Sequence, residues 1–380
     1  MRILLPLLVS TISIFVHGCT NNPPSHSDET SAGETSSSVT VVDTDDDISR
    51  IEEIIAGMTL EEKVGQLFMV RCPNTDKIKA IQDYHLGGYV LFANHFKDKT
   101  PQSIKEEISQ FQSASKIPML IGVDEEGGTV VRVSKYPAFR KTPFLSPRNL
   151  YSIGGFDLIE QDTAEKCELL LSLGINVNLA PVCDLSSNSK DYMYNRSFSG
   201  SPELTSRFVK IVVDTMNSYK VGASLKHFPG YGGNVDTHTG IAVDNREYKT
   251  FLNKDFLPFI AGIEGGAGSV MVSHNIVLCM DNEKPASLSK NVHDILRDTL
   301  KFAGVIMTDD LDMDAIRQYT GAEASAVMAI KAGNDILVST NFKEQIPAVL
   351  RAVESGEIPL SRIEESVMRI LLWKIELGLL

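Results

Sequence analysis

The sequence predicts an α/β protein built as one eight-stranded (β/α)8 barrel, and three observations lead there. Short apolar runs recur along the chain, as buried strands would. They are Leu67–Val70, Gly88–Phe92, Met119–Val123, Asn176–Leu179, Val221–Leu225, Val270–Ser273, Gly304–Met307 and Asp335–Val338, eight in all. Segments with helix-like spacing separate them, and such alternation is the pattern of a TIM-type barrel. Residues able to do chemistry follow several of the runs, where such a barrel builds its site.

Taken in order, the chain begins with Met1-Arg2 and an almost wholly apolar stretch, Ile3 to Val16, interrupted by Pro6. It is too short to span a bilayer comfortably and suits a signal-peptide core. Val16-His17-Gly18-Cys19 resembles a bacterial lipobox, so Cys19 is expected to be the lipidated first residue of the mature protein; an ordinary secretory signal is the alternative. From Thr20 to Asp47 the chain is Ser, Thr, Asp, Asn and Pro with few apolar residues. Such a segment buries too little surface to offset its ordering entropy and reads as a flexible tether. The expected organisation is a signal peptide over 1–18, a tether over 19–47 and the barrel over 48–380.

Within the barrel segment, Thr59-Leu60-Glu61-Glu62 is a capping box that starts a helix. Thr163–Leu173 is an amphipathic helix closed by Gly174, and Ser361–Leu377 is the final helix. A doubly wound open sheet is the alternative, since periodicity alone does not show closure. No Gly-rich phosphate loop follows the first run, which weighs against a nucleotide-binding sheet. The sequence as given stops after the eighth unit, so a single catalytic domain is expected.

Of the 380 residues, 43% are hydrophobic, enough for a sizeable core. The net charge of -13 and the lack of any basic cluster argue against nucleic acid as a partner. Part of that charge is local, at Asp28, Glu29, Glu34, Asp43 and Asp45 to Asp47. Apart from Cys19, the cysteines (Cys72, Cys167, Cys183 and Cys279) have no framework spacing and are expected as buried free thiols.

The densest chemistry is Lys226-His227-Phe228-Pro229-Gly230-Tyr231-Gly232-Gly233-Asn234-Val235-Asp236-Thr237-His238. Its glycines and Pro229 exclude a helix, so Lys226 and His227 should end the fifth strand, with Asp236 and His238 on the loop beyond. A merely solvated surface loop is the bland reading. It is weakened by similar residues at other strand ends: Asp124, Asp184 with Arg196 after it, His274, and Asp309-Asp310. His227, Asp236 and His238 could supply metal ligands, yet no HExxH or Cys/His spacing accompanies them. A Gly-x-Ser-x-Gly elbow is absent as well. A carboxylate nucleophile facing a general acid remains, the arrangement of a retaining glycosidase.

These residues carry a family resemblance. Lys226-His227-Phe228-Pro229-Gly230 with Asp236-Thr237-His238 resembles the signature of glycoside hydrolase family 3, in its β-N-acetylhexosaminidase branch. Val305 to Met313 is similar to the family's nucleophile strand, and Asp124 to Arg132, Asn195 to Phe198 and Pro285 to Ser289 match further blocks. The resemblance runs in order from about Leu60 to the C-terminus. It implies Asp309 as nucleophile, His238 as general acid/base and Asp236 as its orienting partner. It also implies that Asp124, Arg132, Arg196, Lys226 and His227 hold the hydroxyls of the non-reducing sugar. Tyr231 stands where the branch often has a second histidine, Gly233-Asn234 differ from its usual loop, and Thr129 and Val131 replace a common Arg and Gln. Asp310 is left open between a supporting and a purely structural role.

The family's β-glucosidases usually take their acid/base from a carboxylate on a second domain. Here the acid is expected from the barrel, which favours an N-acetyl-β-hexosaminide over a glucoside. The expected activity is a retaining exo-β-N-acetylhexosaminidase that releases N-acetylglucosamine from peptidoglycan fragments or chitin-type oligosaccharides through a glycosyl-aspartate. It would need no cofactor and no metal. A retaining phosphorylase using the same His/Asp dyad and a non-catalytic sugar-binding lipoprotein are the alternatives. The expected partners are an N-acetylhexosamine-containing oligosaccharide and, through the lipid alone, a membrane. The expected state is a monomer on the extracytoplasmic face of the cell membrane.

Overall fold

The computed structural model describes residues 44–234, 236 and 240–380. The expected signal peptide, Cys19, most of the tether and His238 therefore lie outside the described residues. The first helix, Thr44–Ala56, begins ahead of the expected start at Ile48. Asp45, Asp46 and Asp47 occupy its first turn, where negative charge complements the exposed N–H groups.

Eight parallel strands form one sheet: β1 (Phe68–Arg71), β2 (Gly88–Leu91), β3 (Leu120–Val123), β4 (Val177–Asn178), β5 (Gly222–Phe228), β6 (Ser269–Val272), β7 (Val305–Thr308) and β8 (Leu337–Ser339). Each pairs with the next in chain order through β7, and β8 returns to β1 with Leu337 opposite Phe68. A bridge between Met307 and Ile336 joins β7 to β8 and completes the ring. The sheet is thus a barrel and not an open doubly wound sheet. All four residues of β2, β3, β6 and β7 are buried. A barrel strand faces packed side chains within and helices without, which is why these strands read as continuous apolar runs. Gly122 makes room inside: a Cβ there would lie 2.4 Å from the Met69 methyl carbon.

Strand β5 runs on to Phe228, past the expected end at Leu225, so Lys226 and His227 sit within the strand. Lys226 bridges to Val182 on one side, and Phe228 pairs with Val272 on the other. The expected helix Thr163–Leu173 is the second half of a longer element, Pro147–Ser172, with a kink at Gly154-Gly155. Gly174 adopts φ 87° just past its end, as a terminating glycine does. Outside the barrel, Val243–Asp244 and Ile276–Val277 pair as a short parallel ribbon that the sequence did not announce. Cys72, Cys167 and Cys183 are buried free thiols, whereas Cys279 is exposed just beyond that ribbon, contrary to expectation.

The N-terminal face of the barrel is locked by charge. Asp335, fully buried before β8, accepts from Arg297 at 2.6 Å, Arg369 at 3.0 Å and the Ser366 hydroxyl at 2.8 Å. Lys374, on the helix Leu360–Glu376, is fully buried and donates to the Gln66 side-chain oxygen at 2.7 Å. Burial pushes its ammonium down to about 7. Among the described residues no helix is long and apolar enough to cross a membrane.

Candidate active site

A cavity of about 420 Å³ opens at the C-terminal ends of the strands. Asp124, Arg132, Arg196, Lys226, His227, Asp236 and Asp309 all line it, so seven of the expected site residues meet in one place. Their order in the sequence tracks the order of the strands: Asp124 and Arg132 follow β3, Arg196 follows β4, Lys226 and His227 lie at the end of β5 with Asp236 beyond it, and Asp309 follows β7.

Asp124 comes directly after β3 and accepts from Lys226 Nζ at 2.7 Å and Arg132 Nη2 at 3.4 Å. Arg132 reaches it because the intervening loop is folded back on a buried carboxylate. Glu125 accepts from the backbone N–H of Arg132 at 2.8 Å, of Val133 at 2.7 Å and of Ser134, and from the Ser134 hydroxyl. Asn178 of β4 in turn fixes the Glu125 backbone on both sides.

Glu126 was not singled out by sequence, yet it anchors the site. It accepts from Arg196 at Nε (3.0 Å) and Nη2 (2.7 Å) and from Lys226 Nζ at 2.7 Å. Burial favours its neutral form, but Arg196 and Lys226 outweigh it and hold the carboxyl well below the usual range. Lys226, itself fully buried, is opposed by that burial and kept charged by Asp124 and Glu126, which move it upward.

His227 is oriented by Asp184, on the loop after β4, whose carboxylate lies 2.7 Å from its Nδ1. A carboxylate only accepts, so Nδ1 carries the proton and Nε2 accepts from Arg196 Nη2 at 3.2 Å. The other Asp184 oxygen accepts from the Tyr231 N–H at 2.7 Å, tying the start of the following loop to the same carboxylate.

That loop carries Asp236 and is clamped at its base. Arg246 donates to Gly230 O at 2.9 Å, to Asp244 at 2.8 Å and to Asp255 at 2.8 Å. Gly230 has φ 121°, and a Cβ there would lie 2.6 Å from the Asp255 carboxylate. Asn234 donates to Asp244 at 2.9 Å. Asp236 is half-buried and hydrogen-bonds with Tyr192, a lining residue that sequence missed. No local signal marks Tyr192, since its meaning depends on a partner on another strand's loop.

Asp309 follows β7 and is held from below by its N–H, which donates to Val272 O at 3.1 Å. Its Oδ1 accepts from the Asp310 N–H at 2.8 Å. Asp310 serves the turn: its carboxylate accepts from the Asp312 N–H at 3.0 Å and the Thr340 hydroxyl at 2.9 Å. Burial pushes the Asp310 carboxyl upward. His274 braces the same turn, donating from Nε2 to Asp310 O at 3.0 Å while Ser287 donates to its Nδ1 at 2.7 Å. The arrangement offers an aligned carboxylate, fixed cations and acceptors for hydroxyl groups within one cavity. Among the described residues, no group of three or more His, Cys, Asp or Glu is arranged to hold a metal.

Comparison with known proteins agrees with this geometry. Residues 59–372 match the glycosyl hydrolase family 3 N terminal domain. A beta-hexosaminidase of Nitrosomonas eutropha is 29% identical over 317 residues, covering 82% of this chain and 86% of that protein. One from Xanthomonas campestris pv. campestris is 32% identical over 264 residues, covering 68% and 78%. The structure of a glycoside hydrolase family 3 beta-N-acetylglucosaminidase from Paenibacillus superposes with a TM-score of 0.79 at 31% identity. The alignment covers 85% of this chain and 63% of that one, so this chain spans less than two thirds of its length. The chain belongs to glycosyl hydrolase family 3 and is a glycoside hydrolase.

Proposed function

We propose that the chain is a retaining exo-β-N-acetylhexosaminidase acting through a glycosyl-aspartate on Asp309. The observation that carries the reading is the meeting of Asp309 and Asp236 in one cavity with Asp124, Arg132, Arg196, Lys226 and His227. In the first step the Asp309 carboxylate attacks the anomeric carbon while the glycosidic oxygen leaves with a proton from His238. In the second, His238 removes a proton from water, which displaces Asp309 from the same carbon. Two inversions return the β configuration. Asp236 orients the histidine, and the buried Lys226 with the partly buried Arg196 and Asp124 give the non-reducing sugar fixed hydrogen-bond partners. The substrates are oligosaccharides ending in N-acetylglucosamine, from peptidoglycan or chitin.

Phosphate as the acceptor is the competing reading. It would draw on Lys226 and Arg196 as the cations attracting it, but both are already engaged by Asp124 and Glu126. That engagement favours water. On sequence grounds the mature protein is further proposed to be anchored through Cys19 on the extracytoplasmic face, and Cys19→Ser is expected to move it to the soluble fraction. The activity is tested by turnover of 4-nitrophenyl N-acetyl-β-glucosaminide against the matching glucoside, in phosphate and in a non-nucleophilic buffer. Release of free N-acetylglucosamine at equal rates in both buffers is expected. Preference for the glucoside, or a sugar 1-phosphate as main product, overturns the reading.

A further inference from the structure

One cation of the cavity has no part in the network above. Arg71 ends β1, is exposed, and lines the same cavity as Asp124 and Asp309. Among the described residues no carboxylate pairs with it; its recorded contact is the Phe92 ring, whose centroid lies 4.2 Å from its Cζ. Arg132 approaches the same ring from its own loop, with its Cζ 5.6 Å from the centroid. Arg132 is also under-used. Among the described residues its Nε is buried without a hydrogen-bond partner, and its one link to a carboxylate is the 3.4 Å contact with Asp124. By contrast, Arg196 and Lys226 are saturated by Glu126 and Asp124 at 2.7 Å.

Two guanidinium groups thus share one aromatic platform at the rim of a sugar-sized cavity, and Arg71 has no carboxylate partner among the described residues. A guanidinium resting on a ring keeps its N–H edge available, and its planar fork fits the oxygens of an oxyanion. Arg132 also touches Asp124, which on the reading above holds a hydroxyl of the terminal sugar. An anion bridging Arg71 and Arg132 would therefore be joined to that same ring.

We propose that Arg71 and Arg132 form an oxyanion subsite at the rim of the sugar pocket, so that the enzyme takes N-acetylhexosaminides whose terminal sugar carries a sulfate or phosphate ester. The proposal rests on the hexosaminidase reading for the identity of the sugar, and its test is a binding measurement that needs no turnover. Calorimetry at fixed ionic strength compares N-acetylglucosamine, its 4-sulfate, its 6-sulfate, its 6-phosphate, and inorganic sulfate and phosphate. The proteins are the full chain, Arg71→Gln and Arg71→Lys. Arg71 is exposed, and among the described residues its side chain is recorded only against a ring, so neither substitution disturbs the fold.

At least one ester is expected to bind the unaltered chain about tenfold more tightly than N-acetylglucosamine, the scale of one charge-assisted hydrogen bond. The ratio is expected to fall to roughly one in Arg71→Gln and to an intermediate value in Arg71→Lys, which keeps the charge without the fork. The inference is overturned if no ester exceeds the plain sugar, or if the preference survives in Arg71→Gln. It is overturned equally if inorganic anions bind as well as the esters, which would mean an adventitious ion only. Failure of the hexosaminidase reading would appear separately, as no turnover of the plain chromogenic substrate.

Discussion

Arg246→Ala should damage both stability and turnover, because one side chain closes the loop that carries Asp236. The guanidinium binds two carboxylates, Asp244 and Asp255, whose side chains are 2% and 3% exposed. Removing one partner of a buried ion pair costs about 3–5 kcal/mol, chiefly because it strands the other charge. Asp244 keeps two further donors, the Asn234 amide and the backbone N–H of residue 246, so Asp255 bears most of the loss. Against a typical total stability of roughly 5–15 kcal/mol the effect is large. Burial already pushes the Asp255 carboxyl upward, and loss of Arg246 would raise it further. The folded mutant then binds a proton that the unfolded chain releases, so its stability falls as pH rises and the deficit shrinks on acidification. Urea denaturation at pH 7 and pH 5 measures this, with Arg246→Ala/Asp255→Asn as the partner variant expected to recover part of the loss. Displacing the loop by about 1 Å should also lower kcat by up to about a hundredfold with a smaller change in KM. A deficit under about 1 kcal/mol with kcat unchanged would refute the clamp.

Further outcomes follow from other residues. Asp335→Ala should cost about 3–5 kcal/mol in chemical denaturation, since three arginines surround that carboxylate, while kcat at permissive temperature changes little because the cluster lies on the face opposite the site. Lys374 is held down to about 7 when folded and titrates near 10.4 when unfolded, so the unfolded state binds more protons between those values and stability should rise with pH across that window; Lys374→Met should flatten that slope in denaturation series from pH 6 to pH 9. Glu126→Gln removes the carboxylate shared by Arg196 and Lys226, and a rise in KM of about tenfold or more for N-acetylglucosaminides is expected in steady-state assays.

The eight strands were legible because a barrel strand is buried on both faces and so appears as an unbroken apolar run. Their ends were less so: Lys226 and His227 continue β5 since the bridge to Val182 and the pairing to Val272 extend it, and neither is visible locally. The ribbon Val243–Asp244 with Ile276–Val277 offers two residues a side, too few for any periodicity. At Gly154-Gly155 the backbone leaves helical geometry, so Pro147–Ser172 is two helical segments joined at a kink. Site residues were legible where they sit at strand ends in one dense motif. Their partners were not, because Glu126 meets Arg196 across 70 positions and Asp184 meets His227 across 43. Arg71 gives no signal beyond a charge after a strand; only the shared Phe92 ring makes it notable.

The central claim is that Asp309 forms a covalent bond to the sugar. The direct measurement is peptide mapping by mass spectrometry after exposure to a 5-fluoro N-acetylglucosaminyl fluoride, whose ring fluorine slows breakdown of the glycosyl-enzyme. The account predicts one added sugar, on the peptide bearing Asp309 and localised to that residue by fragmentation, and no label in Asp309→Asn. A label on Asp310 would move the nucleophile to the neighbouring residue. Steady turnover with no label, and the α-anomer as the first product seen by NMR, would contradict the covalent mechanism.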